Sequence, residues 1–274
     1  MHGPRSASRI AGWRRPPDMF EPRLFEGKVV LVSGASGGVG SALARLLRRG
    51  GAELVLTSAN PHRLADIADK LGAQAIAADI AKVGDCERIV DEALARHARL
   101  DALVNCAGVW TQGDSAFVSE DDWDRCIDIN LKGAFFLCSR AIPALKATRG
   151  AIVNVGSDAG VVGNAGCAVY CASKGGLVLA GKALALELAP FGVRVNTVCP
   201  SDIATGMLNR QADLFGGGDA PGYLDRLLAR YPQRNARFIE PDEVASLIAF
   251  LLAAPATPIT GATLSIDFGI SAGY

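Results

Sequence analysis

From Lys28 onward the chain alternates short apolar runs with longer amphipathic stretches, a rhythm that few folds accommodate. A brief apolar run suits a strand covered on both faces, and a stretch with 3.6-residue periodicity suits a helix laid over it. Repeated in sequence, the two build parallel βαβ units. Strands are expected at Val29–Val32, Leu54–Thr57, Ala75–Ala78, Ala102–Val104, Ala151–Val155, Arg194–Val198 and Thr263–Ile266. Helices are expected over Ser41–Arg49, Arg63–Lys70, Glu87–Arg96, Asp121–Ala147 with an interruption near Pro143, the segment around Tyr170, and Asp242–Leu252.

The pattern defines an α/β fold class, a doubly wound parallel sheet of Rossmann type, in a single domain over residues 27–274. Residues 1–26 differ, with Arg5, Arg9, Arg14 and Arg15, the pair Pro16-Pro17, and no acid before Asp18. They are expected to be a disordered extension outside the core, with Met19 as an alternative start. Their arginines faintly resemble a mitochondrial presequence. Charge is balanced at 28 basic and 28 acidic residues, which argues against nucleic acid or a membrane surface as partner. No uninterrupted apolar run reaches the ~18 to 20 residues of a membrane span. Seven scattered cysteines make a poor disulfide framework and fit a cytoplasmic protein with packed thiols. Cys167 and Cys171, four residues apart, lack further ligands nearby in sequence, so no metal site is expected.

Between the first strand and the first helix lies Ser33-Gly34-Ala35-Ser36-Gly37-Gly38-Val39-Gly40. Gly34 and Gly38 permit a tight, closely approachable backbone, Gly40 permits helix-on-sheet packing, and the helix N-terminus favours a pyrophosphate. Downstream, Tyr170 and Lys174 share one face of a helix. An ammonium ~5 Å from a phenol, at an effective dielectric of ~20, favours the phenolate by roughly 3 kcal/mol, or about two pKa units. With Ser157 at the end of a strand, the three groups suggest hydride transfer with proton transfer through Tyr170.

These motifs resemble the short-chain dehydrogenase/reductase family, in its compact single-domain branch. The resemblance covers residues 27–274. The family's cofactor turn is similar to Ser33–Gly40, with Ser33 in place of Thr, and its Asn-Asn-Ala-Gly motif to Asn105-Cys106-Ala107-Gly108, where Cys106 departs. The resemblance implies cofactor contacts from Ser33, Gly34, Ser36, Gly38, Val39 and Gly40. It adds Ser58 after the second strand, Asp79 and Ile80 near the adenine, and Asn105, Ala107 and Gly108. It also implies Pro200, Ile203 and Thr205 on the nicotinamide side, although Ser201 stands where Gly is usual, together with Tyr170 and Lys174.

Asn130, Ser157, Tyr170 and Lys174 are implied as a catalytic tetrad. Tyr170 would be the acid or base. Lys174 would lower its pKa and hold the nicotinamide ribose, Ser157 would donate to the substrate oxygen, and Asn130 would hold a water linking Lys174 to solvent. Taken singly, each has an ordinary reading: a surface Tyr, a capping Ser, a satisfied helix Asn.

The expected function is NAD(P)-dependent hydride transfer between the nicotinamide and a small ketone or secondary alcohol. The alternatives are a 3-oxoacyl thioester reductase and a non-catalytic dinucleotide-binding regulator. Leu56-Thr57-Ser58-Ala59-Asn60 has no acid to repel a 2′-phosphate, so NADP(H) is slightly favoured over NAD(H). The substrate is expected under a flap over residues 201–238, walled by Trp110, Val162, Asn164, Cys167 and Met207, with the arginines 226, 230, 234 and 237 on a solvated face. The helix after Tyr170 is apolar on nearly every side, which together with the resemblance implies a homotetramer. Its Gly175, Gly176 and Gly181 fit close approach by another helix or the sheet.

Overall fold

The computed structural model describes residues 23–273. The expectations for residues 1–22, including the start at Met19, lie outside them. Seven strands form one parallel sheet in the order β3-β2-β1-β4-β5-β6-β7: β1 Val29–Ser33, β2 Glu53–Ser58, β3 Gln74–Ala77, β4 Ala102–Asn105, β5 Ala151–Val155, β6 Arg194–Pro200 and β7 Thr263–Ile266. Every expected strand is present. The order reverses between β1 and β4, the place where open α/β sheets form a crevice for ligands.

Side chains alternate along β1 between two cores, as the two-residue strand period demands. Val30 and Val32 pack with α1 (Gly38–Arg49), α2 (Pro61–Leu71) and α9 (Pro241–Leu252). Val29 and Leu31 pack with α3 (Val83–His97), α5 (Ala134–Thr148) and α6 (Ala168–Leu188). Each fully buried leucine in these layers contributes roughly 1.5–3 kcal/mol. The folded region begins earlier than residue 27: Phe25 is buried, and its N–H donates to Gly50 O at 2.8 Å. The expected boundary at residue 26 therefore falls inside the fold.

The expected helix 121–147 is two helices with a break elsewhere. α4 (Glu120–Ile127) passes through a six-residue π-helix, Asp128–Gly133, into α5, while Pro143 sits inside α5 without ending it. Pro143 lies on the exposed side, where a missing donor is tolerated. The break belongs to Asn130, whose amide bonds both backbone groups of Val109 at 2.8 Å. Gly133 secures it from the other side, since a Cβ there would lie 2.4 Å from Ile80 O.

After β6 the chain makes an excursion carrying α7 (Gly206–Phe215) and α8 (Ala220–Leu228). Its two ends are tied: Ile203 pairs with Ile239, and Ile239 N–H donates to Asp202 O at 2.9 Å. Although Lys174, Lys182 and Glu187 interrupt the apolar run as the sequence indicates, residues 168–191, comprising α6 and the turn beyond it, are long and apolar enough for a membrane span by length and mean hydropathy. Their packing is that of a core helix, because Lys174 is buried and donates to Val155 O on β5 at 2.8 Å.

Candidate active site

A cleft of about 1460 Å³ runs along the C-terminal ends of the strands. A single small ligand occupies about 300–1,000 Å³, so this volume suits a dinucleotide together with a second small molecule. Its middle is built from backbone. Gly34 has φ +63°, and a Cβ there would stand 2.5 Å from Ala107 N, so the turns after β1 and β4 are pressed together. At Gly38 a Cβ would meet Thr205 Cγ2 at 2.4 Å, and at Gly40 it would meet Gly34 O at 2.3 Å. The N-cap of α1 is Gly37, which has no capping side chain, and the first turn holds no acid. Free N–H groups and the positive helix end thus remain for an anion, and a pyrophosphate fits.

Two expected cofactor ligands lie behind this wall. Ser33 is fully buried and accepts from Ala107 N–H at 3.4 Å; Asn105 is buried and donates to Asn154 Oδ1 at 2.9 Å. Both brace the ends of β1 and β4, where Ser33 and Asn105 are paired in register, and neither lines the cleft. Cys106, next in the chain, does line it, with its thiol pushed up to about 12 by burial.

Toward the adenosine end, Ser36 and Ser58 bring their hydroxyls to 2.6 Å, joining the glycine turn to the end of β2. Arg45, Arg63 and Lys70 line the same region, against the acid Asp66. Arg63 is placed there by Asn60, whose Oδ1 caps its backbone N–H at 3.0 Å. Asp79 and Ile80 line the cleft as expected, and Asp85 accepts from Asp79 N–H at 2.8 Å.

At the other end Ser157, Tyr170 and Lys174 converge on the cleft. Lys174 Nζ lies 5.9 Å from the centre of the Tyr170 ring. Gly160 makes this possible, because a Cβ there would strike Lys174 O at 2.8 Å and push the turn after β5 away from α6. Burial pushes the Tyr170 phenol above its ordinary value, with the nearby Ser157 hydroxyl acting against that rise. The same desolvation lowers Lys174 to about 8. The expected two-unit depression of Tyr170 by Lys174 is thus reversed by the loss of water around both groups.

Asn130 is fully buried and does not line the cleft. Besides Val109 its amide donates to Ser173 Oγ at 3.0 Å, so the side chain is committed to protein partners. It stands close to Lys174 nonetheless: a Cβ on Gly108 would lie 3.3 Å from Asn130 Oδ1 and 3.4 Å from Lys174 Nζ. Ser157 lines the cleft as expected and also caps the short turn that follows it. Its hydroxyl donates to Asp158 Oδ1 at 2.7 Å within the turn Asp158–Gly160.

Of the expected substrate wall, Trp110, Asn164, Cys167 and Met207 line the cleft, and Val162 does not. Trp110 meets Phe215 of α7 edge-on at 5.2 Å, so the excursion after β6 already reaches across the opening. Arg230 faces the cleft, Arg226 lies 3.7 Å from Asp219, and Arg237 pairs with Glu243 at 2.7 Å. The polar residues Asp158, Asp202, Gln211 and Tyr223 also line this end and were missed from sequence. Asp158 alone carried a signal, its place directly after Ser157.

Residues 34–271 match the family described as Enoyl-(Acyl carrier protein) reductase. Meso-2,3-butanediol dehydrogenase of Serratia marcescens is 35% identical over 253 residues, covering 90% of this chain and 96% of the relative. Actinorhodin polyketide ketoreductase, solved with NADPH, superposes with a TM-score of 0.85 at 31% identity, covering 90% of this chain and 98% of its own. The 3-ketoacyl-(acyl-carrier-protein) reductase of Brucella melitensis, solved with NADH, gives 0.79 at 30% identity, with 90% and 99% covered. Shared architecture over nearly the full length, together with Tyr170, Lys174 and Ser157 at one cleft, establishes that the chain belongs to the short-chain dehydrogenase/reductase family.

Proposed function

We propose that the protein transfers hydride between a nicotinamide dinucleotide and a small ketone or secondary alcohol. The convergence of Tyr170, Ser157 and Lys174 at one end of a cleft with an uncapped helix N-terminus at its middle carries this reading. The dinucleotide, when bound, supplies or accepts the hydride. Tyr170 gives its proton to the carbonyl oxygen in reduction and takes the alcohol proton in oxidation. Because burial raises its pKa, Tyr170 is protonated at neutral pH and is poised as the acid for reduction. Lys174, anchored to Val155 O, presents its ammonium beside Tyr170 to the ribose hydroxyls. The water expected at Asn130 would rest on its main chain, since the side chain is committed.

NADP(H) is the favoured partner: Ser36, Ser58, Arg63 and Arg45 offer hydroxyls and positive charge where a 2′-phosphate would lie, with no acid at the end of β2. The assembly is a homotetramer in this reading, supported by Leu179 and Leu186, 69% and 79% exposed on α6. The glycines of that helix do not carry the argument. A Cβ on Gly176 would meet Leu131 at 2.8 Å, and one on Gly181 would meet Thr197 at 3.0 Å, both within the chain. Seven free thiols favour the cytoplasm.

The test is a panel of ketones and secondary alcohols with both dinucleotides, followed at the reduced-nicotinamide absorbance. Turnover that vanishes in Tyr170→Phe supports the reading. Tight cofactor binding with no turnover of any substrate would instead favour a dinucleotide-binding regulator, and preference for a 3-oxoacyl thioester would favour that alternative.

A further inference from the structure

The Ser157 hydroxyl has one proton, and in this structure Asp158 Oδ1 receives it at 2.7 Å. For Ser157 to stabilise a substrate carbonyl, that proton must turn toward the substrate oxygen. The half-buried Asp158 carboxylate then loses a charge-assisted hydrogen bond, the strong kind. Ala159 N–H still donates to Oδ1 at 2.8 Å, while Oδ2 takes no hydrogen bond from any described residue. A plain ketone offers nothing to replace the bond given up. A hydroxyl on the neighbouring carbon offers a donor at the right place, because Ser157 Oγ and Asp158 Oδ1 are adjacent, as are the two oxygens of such a substrate.

The surroundings agree in character. In the same cleft lining the Asp202 carboxylate accepts from the Tyr231 hydroxyl at 2.9 Å, and Gln211 donates to the Tyr223 hydroxyl at 2.8 Å. Burial pushes Asp202 upward and the nearby charge of Asp158 adds to that rise, while the Tyr231 hydroxyl and Arg230 act against it. With Arg125, Arg210 and Arg230 also in the cleft lining, the two acids are balanced by positive charge, and the donors and acceptors suit a neutral hydroxylated molecule.

We propose that Asp158 selects ketones bearing a hydroxyl on the carbon next to the carbonyl, accepting that hydroxyl's hydrogen bond as the Ser157 hydroxyl turns to the carbonyl oxygen. The reverse substrates are vicinal diols. Asp158 is thereby a specificity residue for the reaction proposed above, on which this inference rests. A 3-oxoacyl thioester, whose neighbouring carbon carries no hydroxyl, lacks the required donor.

The experiment compares 3-hydroxybutan-2-one with butan-2-one, and both with acetoacetyl-coenzyme A, using the full chain and its preferred dinucleotide. The wild-type protein is expected to favour the hydroxyketone over the plain ketone by at least about tenfold in kcat/KM. In Asp158→Ala, which removes the acceptor, that ratio is expected to collapse toward one, and in Asp158→Asn, which keeps the size but only an uncharged and weaker acceptor, it is expected to fall part of the way, whatever the absolute rates. An equal wild-type rate for the two ketones overturns the proposal, as does an unchanged ratio in both variants or faster turnover of acetoacetyl-coenzyme A. Calorimetric binding of the two ketones to the Tyr170→Phe protein loaded with dinucleotide separates the two levels of inference. Preferential binding of the hydroxyketone that Asp158→Ala removes sustains the Asp158 assignment even where the wild type shows no turnover. Absence of turnover alone therefore counts against the catalytic reading, and equal binding of both ketones counts against Asp158.

Discussion

The two ends of the cleft are made in different ways. Around the glycine turn the surface is backbone, held by contacts so close that a single Cβ at Gly34 or Gly40 would fall within 2.5 Å of main-chain atoms. At the substrate end the surface is side chain, drawn from the loop after β4, the turn after β5, α6 and the excursion after β6. The first construction tolerates almost no substitution and serves any dinucleotide. The second permits exchange of residues with little cost to the fold, and it sets which substrate reacts.

The largest effect should come from the side-chain end. Tyr170→Phe removes the proton donor and should lower turnover by at least about 10²-fold while dinucleotide affinity, read by fluorescence titration, stays nearly constant. A variant keeping more than about a tenth of the wild-type rate would break the assignment. A comparable loss of a different kind is expected from Gly34→Ala, which combines a left-handed backbone with a 2.5 Å approach to Ala107 N. Here stability and cofactor binding should fall together, by a few kcal/mol in denaturant unfolding. A normally stable Gly34→Ala protein would show that the backbone half is looser than its contacts imply.

The pH profile sharpens the contrast. Alcohol oxidation needs the Tyr170 phenolate, and because burial places its pKa above the ordinary phenol value, the deprotonated fraction grows about tenfold per unit from pH 6 upward. Burial lowers Lys174 to about 8, so its charge is lost progressively as pH rises through that value and the climb should flatten there. A profile level from 6 to 8 would assign the proton to another group. A smaller effect is expected at the adenosine end: Ser58→Asp should shift the ratio of kcat/KM for NADP(H) over NAD(H) toward NAD(H) by about tenfold, through repulsion of the 2′-phosphate. An unchanged ratio would mean that the Ser36–Ser58 pair does not face the ribose. Last, Leu186→Glu on the exposed side of α6 should shift the assembly toward smaller species in sedimentation, with the fold intact by circular dichroism.

The same contrast explains what could be read in the sequence. The strands were legible because their apolar runs are local, and the glycine turn because its geometry requires glycine at fixed spacing. Ser33 and Asn105 were placed in the right motif but on the wrong side of the wall, since a motif names positions and cannot say which way a side chain faces. The pKa of Tyr170 was misjudged because a pair of charges can be counted from spacing, whereas desolvation depends on everything packed around it. Asp202, Gln211 and Tyr223 reach the cleft only through the folded path of residues 201–238, and no local pattern marks them.

The π-helix at Asp128–Gly133 sets a phase. An α-helix advances about 100° per residue, so one additional residue in a single turn rotates everything before it relative to everything after. That rotation lets α4 face α6 while α5 faces α3. Deleting one residue from the segment would regularise the helix and improve its internal hydrogen bonding, yet it would swing Asn130 off the Val109 backbone and turn the acidic face of α4 toward its neighbours. The locally better helix would then be the worse protein, so insertions and deletions here should be tolerated only as compensating pairs.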